Sequence, residues 1–356
     1  MASRREFLKG VTSGTAGLIL VPQAAGPVRR REVSVGGRRV KVVDVHGHCL
    51  IPETQELIKD NAALAATFKN LLGGGNLVLG PERLRYMDEQ GIDVQAISIN
   101  AWWYGTDREL ARRIITRQNE KLAEWCAAHP DRFVGLASVA LQHPDLAAEQ
   151  LEDGVKRLGL RGAAIGGSVE GEELSAARFD PFWAKAEALG IMLFVHPQPA
   201  PGTTQNPRLQ GKGGLGNTIG NPLETTVFFS HLIFEGTLDR FPGLKICGAH
   251  GGGYLPSYSG RSDALCGRGS GADCKALKKR PSEYFKKELF VDTMVFHEEG
   301  LRHLVAELGI TQIVYGTDYP FDWPVGVDFV LKSAFLSNAD KVAILGGNAA
   351  RLLRIT

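Results

Sequence analysis

The placement of four histidines and one aspartate constrains the fold of this chain more than any other feature. Each ends a short run of β-prone, mostly apolar residues: VVDVHGH (His46 and His48), MLFVHP (His196), KICGAH (His250) and IVYGTD (Asp318). Such a run is typical of a buried strand, and its last residue marks the strand's end. Imidazoles and carboxylates at one edge of a sheet are common ligands of a divalent metal. The pattern therefore predicts strands that assemble a metal site at one rim.

The apolar runs alternate along the chain with helix-like segments, among them residues 107–129, 145–159 and 180–190. The candidate strands cover residues 42–46, 96–100, 133–139, 162–167, 192–196, 245–250, 289–294 and 313–318. Eight strands separated by helices predict an α/β fold of the (β/α)8 TIM-type barrel class. A doubly wound open sheet is the alternative, but it would separate the first and last strands, which both carry candidate ligands.

Two segments interrupt this alternation. Residues 50–81 follow the first strand, and residues 197–221, rich in Gly, Pro and Asn, follow the fifth. Long loops after barrel strands build substrate pockets and lids at the carboxyl-terminal mouth. We therefore expect both segments to lie over the mouth as loop elaborations.

The first 26 residues are set apart from the rest of the chain. Arg4-Arg5 within SRREFLKG precede an apolar run of small residues from Val11 to Val21, which is too short to span a bilayer. This string resembles a twin-arginine export signal, although a plain basic N-terminus is the alternative. Residues 1–26 are therefore predicted to be an export signal, residues 27–356 a single barrel domain, and the protein periplasmic.

Composition excludes several classes of partner. The chain has 356 residues, of which 44% are hydrophobic and 22% charged, and its formal net charge is only +2. Nothing in this balance signals a nucleic-acid partner or stable membrane association. Cys266 and Cys274 flank a glycine-rich loop, where either a small disulfide or two free thiols would suit an exported protein.

The spacing of the candidate ligands suits one cation. His46 and His48 are two residues apart, so on a strand both side chains face the same way. His196 adds a third imidazole nitrogen, and Asp318 adds a carboxylate oxygen that can also shuttle protons. His250, beside three glycines, is either a further ligand or a base that takes a proton from a metal-bound water. The other histidines (His129, His143, His231, His297 and His303) are expected to be structural or solvent-facing.

Several of these strings together resemble one known family. VDVHGH, LFVHP, FPGLKICGAHGGGYLPSYSGR, VYGTDYPF and GNAARLL, in that order, are similar to the amidohydrolase superfamily. They are closest to its branch of metal-dependent decarboxylases, typified by 2-amino-3-carboxymuconate-6-semialdehyde decarboxylase. The resemblance runs from about residue 41 to residue 354, nearly the whole predicted domain.

The resemblance implies roles for individual residues. His46, His48, His196 and Asp318 would hold one divalent metal, usually zinc in this branch and manganese in some relatives. His250 would activate water or guide protonation. Arg261 would grip the substrate carboxylate from a neighbouring subunit, which implies a homodimer or a larger homo-oligomer.

One absence favours a mononuclear site. Hydrolytic relatives with two metals bridge them by a carboxylated lysine on the fourth strand, whereas here that strand reads RGAAIGG. The sequence departs from the family pattern in the expected pocket. Gln198 follows the HP pair where the family member named above has a tryptophan, and a small polar residue near Asn217 replaces an aromatic residue. Trp102 and Trp103 are either replacement aromatic walls or helix-packing residues.

The sequence thus predicts non-redox, metal-dependent decarboxylation of a small aromatic or unsaturated carboxylic acid, of carboxymuconate-semialdehyde or hydroxybenzoate type. His250 and Asp318 are the candidate catalytic residues. The alternative is a hydrolase or hydratase that uses the same site on a lactone or a conjugated diacid. A metal- or ligand-binding protein without turnover is a third interpretation, which His250 and Arg261 argue against.

Overall fold

Eight parallel strands form the centre of the molecule. The computed structural model describes residues 29–73, 76–268, 274–324 and 326–356, so the predicted export segment lies outside the described residues. The strands are β1 (Val43–His48), β2 (Val94–Ser98), β3 (Phe133–Ala137), β4 (Gly162–Ile165), β5 (Met192–Val195), β6 (Lys245–Gly248), β7 (Leu289–Asp292) and β8 (Ile313–Val314). Each strand overlaps one of the sequence-predicted strands.

The strands are hydrogen-bonded in chain order, and the two ends of the sheet meet. The Val45 N–H donates to the carbonyl oxygen of Tyr315 at 3.0 Å, and the His48 N–H donates to that of Tyr319 at 2.8 Å. These bonds join β1 to the segment that continues β8. The (β/α)8 barrel is confirmed, and the first and last ligand-bearing segments become neighbours as the closure argument required.

Helices surround the barrel and connect its strands. They span Gln55–Ile58, Ala62–Gly73, Pro81–Gln90, Arg108–Ala128, Pro144–Lys156, Asp180–Leu189, Asn221–Phe234, Thr237–Arg240, Leu255–Gly267, Pro281–Glu288, Glu298–Leu308, Val327–Lys332, Asn338–Val342 and Asn348–Leu353. The predicted entry hairpin is present, with Ser34–Val35 pairing antiparallel to Arg38–Arg39. A second small hairpin pairs Ser168–Val169 with Glu172–Glu173. Within the described ranges, no helix is long and apolar enough to cross a membrane.

Two hydrophobic clusters explain why the strands read as nearly continuous apolar runs. An inner cluster fills the barrel, with Val45, Phe194 and Cys247 among its members and Leu352 and Leu353 of the last helix packed onto it. A larger outer cluster lies between the strands and the helices. A parallel barrel buries both faces of every strand, so little polar alternation remains in the sequence.

The register between β1 and β2 shifts between Asp44 and Gly47, as at a β-bulge. Val45 belongs to the inner cluster that contains Phe194, and the ring centroid of His46 lies 4.8 Å from that of Phe194. Two consecutive residues therefore face the barrel interior. A bulge re-aims side chains in this way, and here it turns His46 inward.

Of the two long segments, residues 197–221 contribute Asn217, Thr218 and Asn221 to a cavity at the barrel mouth. Residues 50–81 pack Phe68 against Trp102 after β2, and none of their described residues lines that cavity. Residues 197–221 therefore lie at the mouth, as expected, whereas the described residues of 50–81 lie outside the lining of this cavity. Cys266 and Cys274 are joined by a disulfide, which decides between the two interpretations of this pair.

Candidate metal centre

The carboxyl-terminal ends of the barrel strands bring the predicted ligands together. His46 and His48 lie on β1, His196 follows β5, and Asp318 lies beyond β8. One ligand atom from each of these four buried residues lies within 4.8 Å of the other three. The carboxyl-terminal face is where barrels of this class carry their active sites. The four candidate ligands are thus placed where one cation could contact all of them.

The individual distances describe a tight cluster of acceptor atoms. The Nε2 atoms of His46 and His48 are 2.9 Å apart, and Asp318 Oδ1 lies 2.9 Å from His48 Nε2. The same Asp318 oxygen lies 3.1 Å from His46 Nε2. Lone-pair atoms this close to one another require protons or a cation between them. Three imidazoles and one carboxylate are a donor set that suits zinc and related divalent metals.

Hydrogen bonds on the outer sides of two imidazoles point their Nε2 atoms inward. His46 Nδ1 lies 2.7 Å from Asp292 Oδ2, and the Nδ1–H of His196 donates to the carbonyl oxygen of Pro197 at 2.9 Å. Asp292 is itself fixed, because its Oδ1 accepts from the Gly251 N–H at 2.8 Å. Partners of this kind orient histidine ligands in metal sites. Asp292 was not singled out from the sequence, although it too ends an apolar run, LFVD.

The charges in the cluster change the pKa values of its members. Burial alone would lower the pKa of His46, but the carboxylates of Asp318 and Asp292 outweigh it and raise the pKa to about 10. Burial, assisted by the neighbouring histidines, holds the pKa of His196 well below its usual range. Burial would raise the pKa of Asp318, but the nearby histidines hold it well below its ordinary value. Without a metal, His46 is therefore protonated near pH 7, and its positive charge interacts with the Asp318 and Asp292 carboxylates.

His250 lies at the edge of the cluster. Its Nε2 is 3.8 Å from Asp318 Oδ2, the oxygen that does not face the other histidines. Both His250 and Asp318 have a φ of +56°, a left-handed conformation that is uncommon for residues with a side chain. Such conformations concentrate at functional sites because the surrounding structure must hold them. His250 is therefore placed beside the ligand cluster, facing the cavity.

A buried polar network ties the ligand-bearing strands together behind the cluster. Asp44 accepts from the His46 N–H at 2.9 Å, from Gln95 Nε2 at 2.7 Å and from the Thr317 hydroxyl at 2.6 Å. Arg83, which is 1% exposed, donates to Gln95 Oε1 at 2.9 Å and to the carbonyl oxygen of His48. The Gln95 amide thus bridges a buried guanidinium and a buried carboxyl. This network fixes β1 relative to the residue that precedes Asp318.

A cavity of about 590 Å³ adjoins the cluster. Its lining includes His250, Tyr254, Met294, Phe296 and Trp323. Neither lysine nor arginine is among the lining residues in the described part of the chain. Largely apolar clefts with a few polar groups are typical of small-molecule sites.

Two aromatic residues of the cavity lining were not singled out from the sequence, and the structure decides between the alternatives for two others. Trp103 is fully buried and its indole N–H donates to the carbonyl oxygen of Val139. Trp102 is partly buried and packs against Phe68, so both tryptophans are packing residues and neither lines the cavity. Trp323 and Phe296 line the cavity instead. His297, expected to be structural or solvent-facing, is also a lining residue. Loop residues of this kind carry no periodic signal from which to recognise them.

Arg261 lies away from the ligand cluster of its own chain. It is exposed on the helix Leu255–Gly267 and does not line the cavity. Tyr258 and Leu265, three residues before it and four after it on the same helix, are 57% and 47% exposed. Residues at these spacings share one helix face.

Known proteins are similar to this chain in sequence and in fold. The amidohydrolase family matches residues 43–355. The gamma-resorcylate decarboxylase of Rhodococcus jostii is 33% identical over 323 residues, covering 86% of this chain and 97% of the relative. The 2-amino-3-carboxymuconate-6-semialdehyde decarboxylase of Dictyostelium discoideum is 31% identical over 279 residues, covering 76% of this chain and 75% of the relative.

Among solved structures, the dihydroxybenzoic acid decarboxylase from Polaromonas sp. JS666 contains manganese and the inhibitor 2-nitroresorcinol. It is 29% identical with a TM-score of 0.77, and the match covers 89% of this chain and 97% of that one. These similarities confirm the resemblance to metal-dependent decarboxylases on which the sequence interpretation depended.

Proposed function

This chain belongs to the amidohydrolase family, and from that premise we propose that it decarboxylates a small aromatic carboxylic acid without a redox cofactor. The observation that carries this proposal is the buried cluster of His46, His48, His196 and Asp318, which adjoins a cavity with aromatic walls. The relatives named above are decarboxylases of gamma-resorcylate, an aromatic acid, and of 2-amino-3-carboxymuconate-6-semialdehyde, an unsaturated acid. A carboxy-lyase therefore fits both the site and the family.

His46, His48, His196 and Asp318 would hold one divalent metal. When bound, the metal would supply positive charge that orients the substrate and stabilises charge developing on its oxygens. We propose zinc, which three imidazole ligands favour, and manganese is the competing choice because the Polaromonas enzyme contains it. The metal content of the protein isolated without added metal, and the turnover of the Zn²⁺-loaded and Mn²⁺-loaded forms, would decide. Turnover with Mn²⁺ but not with Zn²⁺ would overturn the zinc assignment.

His250 and Asp318 would move the proton that decarboxylation requires. His250 Nε2 and Asp318 Oδ2 are 3.8 Å apart at the edge of the cavity. A proton from this pair would add to the ring carbon that bears the carboxylate. The bond from that carbon to the carboxyl group would then break, its electrons would remain on the ring, and CO2 would leave. Positioned proton donors of this kind contribute about 10²- to 10⁴-fold to a rate.

The test is release of CO2 from a panel of acids by the metal-loaded protein. Hydroxybenzoates such as 2,6-dihydroxybenzoate are expected to yield CO2 and the corresponding phenol. Lactones and conjugated diacids form the second arm of the panel. Turnover in that arm without CO2 release from any acid would replace the decarboxylase with a hydrolase or hydratase.

We also propose that Arg261 works in the site of a second copy of the chain. Its exposure beside Tyr258 and Leu265, and its absence from the cavity of its own chain, support this role. Arginine's planar fork suits a carboxylate. Arg261→Ala and His250→Ala should each lose most of their activity, whereas a refolded mixture should regain activity in mixed dimers. If the mixture stays inactive, or if the wild type is monomeric during turnover, the assignment in trans is wrong.

Finally, we propose that residues 1–26 direct export to the periplasm by the twin-arginine route. The support is the string SRREFLKG followed by a short apolar run. A reporter that fluoresces only after folded export should reach the periplasm when fused to these residues. Replacement of Arg4 and Arg5 by lysine should prevent this, and unchanged export would contradict the proposal.

A further inference from the structure

Trp323 connects the ligand cluster to the cavity. Its indole N–H donates to Asp318 Oδ2 at 2.8 Å, and its ring lines the cavity. The ring centroid of Phe296 lies 5.2 Å from that of Trp323, with an angle of 46° between the two ring planes. The same side chain therefore contacts a candidate metal ligand through its indole N–H and also lines the cavity.

We propose that Trp323 is a positioning and specificity-determining residue with two separable functions. Its N–H holds Asp318 so that one carboxylate oxygen stays directed at the histidines. Its ring, together with Phe296, forms the wall against which a flat aromatic ligand stacks. The second function rests on the proposed decarboxylation of aromatic acids, whereas the first concerns the metal centre alone.

The two oxygens of Asp318 show why the N–H matters. Oδ1 lies 2.9 Å from His48 Nε2 and 3.1 Å from His46 Nε2, inside the cluster. Oδ2 has Trp323 as its hydrogen-bond donor at 2.8 Å, with His250 Nε2 farther away at 3.8 Å. Without the indole N–H, the carboxylate is free to rotate about its Cβ–Cγ bond and withdraw Oδ1 from the histidines. Partners that orient a ligand in this way typically change metal affinity or activity by about 10- to 100-fold.

The ring function follows from the composition of the wall. Trp323 and Phe296 lie beside Met294 and Tyr254, so this part of the cavity offers aromatic and aliphatic surface. Offset or tilted contacts between aromatic rings are worth roughly 2- to 10-fold in binding beyond the area they bury. Phe296 is 44% exposed, which leaves much of its ring available to a ligand. A planar ring can therefore be bound by contact with this wall while its carboxylate faces the cluster.

Three substitutions separate the two functions. Trp323→Phe keeps a ring and loses the donor, Trp323→Gln keeps an N–H donor and loses the ring, and Trp323→Leu loses both. Metal affinity is measured on metal-free protein by competition with a chromophoric chelator, for Zn²⁺ and for Mn²⁺. Ligand affinity is measured at saturating metal with 2-nitroresorcinol, the inhibitor in the Polaromonas structure.

Metal affinity is expected to depend on the N–H donor at position 323, and ligand affinity is expected to depend on the ring. Trp323→Phe and Trp323→Leu should bind metal about 10- to 100-fold more weakly, and Trp323→Gln should stay closer to the wild type. Trp323→Gln and Trp323→Leu should bind 2-nitroresorcinol roughly 2- to 10-fold more weakly, and Trp323→Phe should retain most of its affinity. In turnover, the ring loss should appear mainly in KM and the donor loss mainly in kcat.

Trp125→Phe is the matched control, because the Trp125 indole N–H has no partner among the described residues and Trp125 does not line the cavity. It should change neither affinity. If Trp323→Phe binds metal as tightly as Trp125→Phe does, the positioning role is wrong. If 2-nitroresorcinol fails to bind the wild type, or binds all three variants equally well, the ring role is wrong. Failure of the proposed decarboxylation would appear instead as a wild type that binds metal and 2-nitroresorcinol but releases no CO2.

Discussion

The ligand cluster and the cavity wall beside it are built in different ways. His46 and His48, at the end of β1, are 0% and 1% exposed and are surrounded by Asp292, Asp44 and neighbouring backbone groups. The wall is formed by loop residues such as Phe296, which is 44% exposed. Strand ends inside a closed barrel have little freedom to move, whereas side chains on loops can be exchanged without disturbing the core.

This difference separates two properties of the protein. The cluster would fix which chemistry is available, because the proposed divalent cation and the proposed proton-transferring pair both lie there. The wall would decide which acid fits, since it supplies shape and aromatic contact but no lysine or arginine among its described lining residues. Substitutions in the cluster should therefore change metal binding and rate. Substitutions in the wall should change which substrate is used.

The strongest test of this separation is the removal of a ligand. His46→Ala is expected to abolish metal binding and turnover together, because it removes one nitrogen and leaves Asp292 without its partner. Metal content by atomic emission spectroscopy and CO2 release provide the two measurements. His129→Ala, which changes a histidine at the opposite end of the barrel, is the control and should retain both. A His46→Ala protein with full metal content would show that the cluster is not the metal site.

The next largest effect is expected at the border between the two regions. His250→Ala should keep the metal, because the four other residues supply the ligand set, but should lower kcat by about 10²- to 10⁴-fold. The measurement is kcat with the bound metal quantified in the same sample. Full activity in His250→Ala would remove His250 from the mechanism. Loss of the metal would instead make His250 a ligand.

The same comparison explains how much could be predicted from the sequence. The eight strands, their closure and the cluster of His46, His48, His196 and Asp318 were all predictable, because parallel barrel strands leave uninterrupted apolar runs with the functional residue at the end. Asp292 also ends an apolar run, but its role is to contact His46 from behind, and that contact depends on the adjacency of β1 and β7 residues in the barrel, which no local pattern shows. The bulge between Asp44 and Gly47 leaves no mark in the pattern, since both faces of β1 are buried.

The wall could not be predicted for a different reason. Trp323 and Phe296 come from separate loops and meet only because β7 and β8 are adjacent in the barrel. Of the two alternatives for Trp102 and Trp103, packing is the one that the structure shows, because Phe68 of the helix Ala62–Gly73 lies beside Trp102. An aromatic residue has the same sequence signal in either setting.

A smaller effect is expected for the partner of His46. Asp292→Asn should weaken metal binding by about 10- to 100-fold, because the charge that orients His46 is lost. In the metal-free wild type, Asp318 and Asp292 raise the pKa of His46 to about 10, so binding metal near pH 7 should release about one proton and affinity should rise with pH. Calorimetry in buffers of different ionisation enthalpy measures that proton. Asp292→Asn should release less of it, and equal release would contradict this account.

The raised pKa of His46 has a second consequence, for the stability of the metal-free protein. Its folded-state pKa of about 10 exceeds the unfolded value, so the interaction with the two carboxylates stabilises the fold fully below pH about 6.5. That stabilisation should be lost as the pH rises through about 10. Bound metal should remove this dependence, because it replaces the proton.

The smallest effect on catalysis is expected in the network behind the cluster, where stability should respond most. Gln95→Leu removes the amide between Arg83 and Asp44, so a buried guanidinium and a buried carboxyl each lose a hydrogen bond. Two such losses should lower the free energy of unfolding by about 2–4 kcal/mol, measured by urea denaturation. The kcat should fall less than in His250→Ala, because no group at the cavity is changed.

Gln118→Leu is the matched control for this last substitution. Gln118 is also fully buried, but neither of its amide atoms has a hydrogen-bond partner among the described residues. Replacing it removes unpaired polar atoms, so Gln118→Leu should be nearly neutral or stabilising. If both variants lost the same free energy of unfolding, the loss would come from the changed side-chain shape. The hydrogen bonds of Gln95 would then not be what holds β1 in place. If only Gln95→Leu is destabilised, then the hydrogen bonds of buried Arg83 and Asp44 through Gln95 align the first and last strands, which carry candidate metal ligands.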